Sequence, residues 1–143
     1  MDLRRATADD LDTLMALISE YYRLDRHRFD TQRVSAALRP LLAGDDFGLV
    51  WILDTPCAGY VVVTWGFSLE SGGREALIDE FYLRERGTGL GTQVLEWLIA
   101  DCRRRGCRVM FLETERHNAR VRRLYRRAGF EEDDSVWMSR PLL

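Results

Sequence analysis

No lysine occurs in this chain of 143 residues, so all 21 basic side chains are arginine. That absence removes the Gly-Lys-[Ser/Thr] element with which a P-loop grips a nucleoside triphosphate, and with it an ATPase or GTPase reading. Cysteine is sparse as well: Cys57, Cys102 and Cys107 are odd in number and lack Cys-x-x-Cys spacing, which argues against a disulfide framework and for a reducing, cytoplasmic setting. Only two histidines are present, His27 and His117, far apart and without metal-ligand spacing, so surface or capping roles are expected and no metal. No apolar run approaches membrane-spanning length, and the N-terminus is charged from Asp2 and Arg4 onward; neither a transmembrane helix nor a signal peptide is expected. The net charge is −2, which disfavours a nucleic-acid partner. The arginine runs at 103–105 and 120–127 read as solvated helix faces and leave salt-sensitive RNA binding a minor alternative. With 46% hydrophobic content and no low-complexity linker, residues 1–143 read as one domain with a core.

What is present alternates strand and helix. Leu3 to Ala6 reads as a short strand, and the acidity of Asp9 and Asp10 precedes Leu11, Leu14, Met15, Ile18 and Tyr22, which recur at helical spacing. A second helix starts at Asp30 or Thr31, buries Val34, Ala37, Leu38, Leu41 and Leu42, and ends at Gly44. Leu49 to Leu53 and Ala58 to Trp65 are strands separated by a turn at Asp54-Thr55-Pro56, and a third runs from Ala76 to Leu83. An amphipathic helix from Thr92 to Arg104 closes at Gly106, and the strand Val109 to Thr114 follows. A helix from Asn118 closes at Gly129, and Val136 to Ser139 is a candidate last strand.

The junction Arg86-Gly87-Thr88-Gly89-Leu90-Gly91 joins a strand directly to a helix. Its glycines let backbone approach a ligand, and the free amides of the first helical turn attract an anion, so the ligand is expected to carry phosphate. The glycines fall at alternate positions in mid-chain, which departs from the dinucleotide fingerprint Gly-x-Gly-x-x-Gly. Arg-x-x-Gly-x-Gly, spelled by Arg86, Gly89 and Gly91, resembles the coenzyme A pyrophosphate loop of the GNAT N-acetyltransferases. The stretch from Asn118 through Leu124 and Tyr125 to Gly129-Phe130 is similar to that family's Asn-x-x-Ala-x-x-Leu-Tyr-x-x-x-Gly-Phe signature, with Val121 in place of an alanine. The approach to the loop is shorter than in the family, since only Arg84 and Glu85 separate Leu83 from Arg86, and a register using Arg84, Gly87 and Gly89 also satisfies the pattern.

The resemblance implies a single-domain α/β fold, a mixed central sheet with helices on both faces in the order β-α-α-β-β-β-α-β-α-β. It also implies acetyl-CoA as co-substrate and transfer of the acetyl group to a primary amine by direct attack. The pyrophosphate would lie on Arg86, Gly87, Thr88, Gly89, Leu90, Gly91 and Thr92, and the pantetheine arm along the backbone of Phe81, Tyr82 and Leu83, as an added strand does. Tyr125 would donate to the departing sulfur, and Asn118 would bind pantetheine or cap its helix. An amine of pKa near ~10 arrives protonated and needs a base, for which Glu80 is the candidate. Strict alternation sets Ile78, Glu80 and Tyr82 on one face and Asp79, Phe81 and Leu83 on the other, so only one of the two acids is expected to face the cleft. The family's acceptor regions here hold Tyr21, Tyr22, Asp25, Trp65, Phe67, Glu70 and Trp137, which suit a small polyamine-like or aminoglycoside-like cation. Acetylation of a peptide amine and a non-catalytic coenzyme A-binding module remain alternatives, and pairing of the last strands would give a homodimer.

Overall fold

The computed structural model describes all 143 residues and divides into a larger unit, Met1–Glu113, and a smaller one, Thr114–Leu143. In the larger unit, β1 (Leu3–Arg5) leads through one short turn of helix into α1 (Leu11–Leu24) and α2 (Thr31–Ala43). Three strands follow, β2 (Gly48–Leu53), β3 (Gly59–Ser68) and β4 (Gly73–Leu83), then α3 (Leu90–Arg104) and β5 (Val109–Leu112). The strands form one sheet in chain order, antiparallel from β1 to β4 and parallel between β4 and β5. A parallel neighbour requires a crossover, and α3 provides it.

Helices cover both faces. Val50 and Ile52 of β2 and Tyr60 and Val62 of β3 pack with Leu14, Leu17 and Ile18 of α1 and Leu38 and Leu42 of α2. The alternate residue Trp51 turns to the other face and meets Trp97 of α3, ring centroids 4.6 Å apart at 77°. The buried stripe of α3, including Val94, Leu95 and Leu98, recurs at helical spacing. Burying each such side chain is worth roughly 1.5–3 kcal/mol, so the two-faced core is the main support of the sheet.

One irregularity decides the functional geometry. Val62 pairs with Glu80, but Val63 pairs with Ile78, so Asp79 is an extra residue on β4. This bulge breaks the strict alternation expected for the strand: Ile78 and Glu80 stand opposite neighbouring residues of β3 and point to opposite faces. Pairing of β4 with β5 ends at Ile78 and Leu112, so Asp79 to Leu83 has no strand of the sheet on that side.

In the smaller unit, α4 spans Ala119–Arg127. Asn118 caps it, accepting the Val121 N–H at 3.3 Å. Its end explains part of the signature: Gly129, at φ +94°, donates to Arg126 O, Phe130 N–H donates to Tyr125 O, both at 3.0 Å, and the two rings meet edge-on. That is a Schellman cap with its apolar contact, which only a residue tolerant of positive φ can close. Val136 to Ser139 does not form the expected last strand; residues 131–143 are neither helix nor strand, and Trp137 is 86% exposed. A strand exists through a hydrogen-bonded neighbour, and nothing pairs with this run. No helix is long and apolar enough to cross a membrane.

Candidate active site

The glycine loop ends in α3 with Gly89 as N-cap at φ +81°, preceded by Gly87 at φ +78°. A Cβ on Gly89 would meet no atom within 4 Å, so backbone conformation and not space requires glycine there. The helical hydrogen bonds begin with Gln93 N–H to Gly89 O, and no side-chain oxygen caps the amides before it. The first turn also carries no acidic residue. This helix end suits an anion. Gly91 and Thr92 lie in the first turn, and buried Leu90 fixes that turn against the core.

The arginines of the two loop registers differ in their partners. Arg84 is forked onto Glu20 of α1, at 3.2 and 2.9 Å, and holds that carboxyl below its ordinary range. Arg86 is exposed and makes no ion pair, which leaves its guanidinium for phosphate. Just before it, Phe81, Tyr82 and Leu83 offer a backbone edge without a strand neighbour, while the Tyr82 and Leu83 side chains are buried.

Beneath α1 and the start of α2 lies a cavity of about 580 Å³, which the bulge of β4 enters with both Asp79 and Glu80. The expectation that only one of these acids faces the cleft is therefore corrected, because the extra residue suspends alternation at that point. Glu80 is held by two phenols: Tyr22 donates to Oε2, and Tyr60 donates to Oε1 at 2.8 Å. Burial pushes the Glu80 carboxyl above its ordinary value; the two phenols oppose that shift and the charge of Asp79 adds to it. Asp79 is raised by desolvation and accepts no hydrogen bond. Tyr22 and Tyr60 are driven upward by burial and by Glu80, so both remain protonated donors. Tyr21 stacks on Tyr82 with ring centroids 5.4 Å apart, and Tyr22 packs edge-on against Phe29 and His27.

The cavity takes two of the aromatics named for the acceptor, Tyr21 and Tyr22. Trp65 instead donates to Asp45 O at 2.8 Å and lies beneath Arg74, a structural role. Asp25, Phe67 and Glu70 are exposed outside the lining, as is Trp137 in the other unit. His27 is exposed and lines the cavity together with Arg28, Asp30 and Arg33. Nothing in the sequence marked these four as lining one cavity, nor Tyr60 as a partner of Glu80; Tyr60 reads there as an ordinary buried strand residue. Tyr125 and Asn118 belong to the smaller unit, where burial raises the Tyr125 phenol and keeps it protonated. Burial pushes the Cys102 thiol up to about 12, which removes it as a nucleophile at neutral pH.

Residues 11–130 match the model of the acetyltransferase (GNAT) family. The chain belongs to that family. An uncharacterized N-acetyltransferase of Archaeoglobus fulgidus is 33% identical over 132 residues, 87% of this chain and 89% of that protein. An integron cassette protein, HFX_CASS3, from the mobile metagenome of Cole Harbour Salt Marsh superposes with a TM-score of 0.86 at 32% identity, covering 99% of this chain and 90% of that one. A predicted acetyltransferase of Clostridium acetobutylicum, solved with acetyl-CoA, shares the fold at 18% identity and a TM-score of 0.80, covering 99% and 96%. This GNAT chain therefore places a glycine-capped helix, a bare strand edge and a two-carboxylate cavity on the same strand and the loop that follows it.

Proposed function

We propose that this GNAT protein transfers the acetyl group of acetyl-CoA to the primary amine of a small molecule by direct attack in a ternary complex. The observation that carries the reading is the β4 bulge, which delivers Asp79 and Glu80 into a cavity where the strand loses its β5 neighbour. The donor set fits the cofactor. Uncapped amides at Leu90, Gly91 and Thr92, the unpaired Arg86 and the open backbone at Phe81 to Leu83 match a pyrophosphate followed by an amide-bearing arm. The relative solved with acetyl-CoA has the same fold.

Acetyl-CoA supplies an activated thioester carbonyl. The acceptor enters as an ammonium, attracted by Asp79 and Glu80, and Glu80 takes its proton. Tyr22 and Tyr60 hold the Glu80 carboxylate in one orientation and stabilise its charge. The freed nitrogen forms the bond to the acetyl carbon as the carbon–sulfur bond breaks and its electron pair leaves on sulfur; the nitrogen then sheds its second proton to water. The resemblance to the family assigns Tyr125 as the proton donor to the departing sulfur, and solvent returns the phenol's proton. Apolar walls from Ile18, Val62 and Leu38 strengthen these interactions by keeping the local dielectric low.

Thermal unfolding with acetyl-CoA, and with ATP and NAD as controls, tests the cofactor. At about a hundred times its Kd, acetyl-CoA is expected to stabilise the fold by roughly 2.7 kcal/mol, and the controls by little. An equal shift with ATP would overturn the reading of the loop. Tyr125→Phe keeps the ring that seals the α4 cap against Phe130, so it removes the hydroxyl alone. Turnover is expected to fall by about 10²-fold with the acetyl-CoA thermal shift unchanged; unaltered turnover across pH would exclude Tyr125 from proton transfer.

A further inference from the structure

The cavity is lined by charges of both signs. Asp79 and Glu80 share its lining with Arg28 and Arg33; Glu80 is half-buried, and the other three are exposed. The other acid of the lining, Asp30, caps α2 by accepting the Arg33 backbone N–H at 3.1 Å, and the lining His27 meets Asp25, outside the lining, at 2.6 Å. Neither Arg28 nor Arg33 has an ion pair or a side-chain hydrogen bond, although Arg4, Arg84 and Arg105 each grip a carboxylate elsewhere on the surface. A guanidinium is a planar fork of donors whose geometry matches a carboxylate, and Arg28 and Arg33 bring two such groups to the lining of one cavity.

A simple ammonium would be drawn to Asp79 and Glu80 and would gain nothing from Arg28 and Arg33. A second ammonium of a polyamine would meet the like charge of those arginines. We infer that, resting on the acetyl-transfer reading above, the acceptor is a small zwitterion, an amine that also bears a carboxylate. Its ammonium group faces Asp79 and Glu80, and its carboxylate faces Arg28 and Arg33. The cavity volume of about 580 Å³ suits a small molecule. This assignment replaces the polyamine-like or aminoglycoside-like acceptor that the aromatic residues alone suggested.

The test uses matched pairs that differ in the carboxylate, β-alanine against propylamine and phenylalanine against phenethylamine, with a C-terminally amidated dipeptide as a further arm. Two readouts are taken: thiol release from acetyl-CoA, and the thermal shift each compound produces in the presence of coenzyme A. The carboxylated member of a pair is expected to show at least a tenfold higher kcat/KM, chiefly through KM, and the larger shift. In the Arg28→Gln/Arg33→Gln double variant this advantage is expected to collapse toward parity, while the shift with coenzyme A alone persists and shows that the fold is intact. Turnover with no preference for the carboxylate, or with preference for the amidated peptide, overturns the zwitterion and leaves acetyl transfer standing. Carboxylate-dependent binding without thiol release sustains the zwitterion and overturns acetyl transfer. A preference that survives in the double variant removes Arg28 and Arg33 from recognition and overturns the assignment.

Discussion

Glu80→Gln is expected to lower kcat/KM for the amine acceptor by about 10²- to 10³-fold, measured by thiol release, while leaving the fold close to its original stability. The glutamine keeps an oxygen for a phenol to donate to, and either hydroxyl can rotate to accept from the amide. Glu80→Ala separates structure from chemistry, because it strands the hydroxyl of Tyr60, a fully buried residue, without an acceptor. An unsatisfied buried hydroxyl costs about 1–3 kcal/mol, so this variant is expected to melt roughly 3–10 °C lower as well as losing activity. The pH profile identifies the base. Glu80 sits above its ordinary value, so the acid limb of kcat/KM is expected above the usual carboxylate range. Asp79 contributes to that elevation, so Asp79→Asn is expected to move the limb to lower pH and keep most of the activity. If Asp79→Asn abolishes turnover and Glu80→Gln does not, the base is Asp79.

The same shifts have a sign for stability. Both carboxyls are raised in the folded chain, so between the ordinary and the raised values the native state holds protons that the unfolded state has released. Stability from these two groups is therefore fully present at acid pH and declines as pH rises through that window. Glu80→Gln is expected to flatten the decline in urea-melt midpoints followed against pH.

Gly89→Val is expected to abolish the thermal shift with acetyl-CoA while lowering the ligand-free melting temperature by only a few degrees. The αL conformation at φ +81° costs an ordinary L-residue roughly 1–2 kcal/mol, more for a β-branched one, and no neighbouring atom adds a clash. The loss of binding is disproportionate because relief of that strain re-aims the amides that start α3. Arg84→Gln is the control: its partner is Glu20, so it is expected to cost a little stability and leave the acetyl-CoA shift in place. A retained shift in Gly89→Val would show that phosphate does not sit on this helix end.

The parts of the molecule legible in the sequence are those whose causes lie within a few residues. The glycine loop, the Asp30 and Asn118 caps and the Gly129 closure depend on hydrogen bonds spanning three to five residues, and each forms as its residues dictate. The strands were visible through their apolar runs, with ends displaced by a residue or more; β4 extends back to Gly73 because β3 continues opposite it to Ser68. The apolar run at 136–139 forms no strand for the complementary reason, since such a run becomes a strand only when another strand pairs with it.

The phase of β4 was not legible. Ile78 and Tyr82 are both buried and an even number of residues apart, which reads as one face, yet the extra residue between them puts them on opposite faces. With helices on both sides of the sheet, either face accepts apolar side chains, and the pattern carries no mark of the slip. The cavity is hidden likewise: Tyr22 and Glu80 are 58 residues apart, Tyr60 and Glu80 are 20 apart, and Arg28 and Arg33 reach the same lining from the connection between α1 and α2 and the start of α2. The sequence by itself determined the family, the order of elements up to α4 and the glycine-capped start of α3, because local backbone chemistry specifies them. Only the tertiary structure decided that both acids share one cavity, that two phenols hold Glu80, and that Arg86 and not Arg84 is free, because each depends on which distant chain segment packing brings alongside.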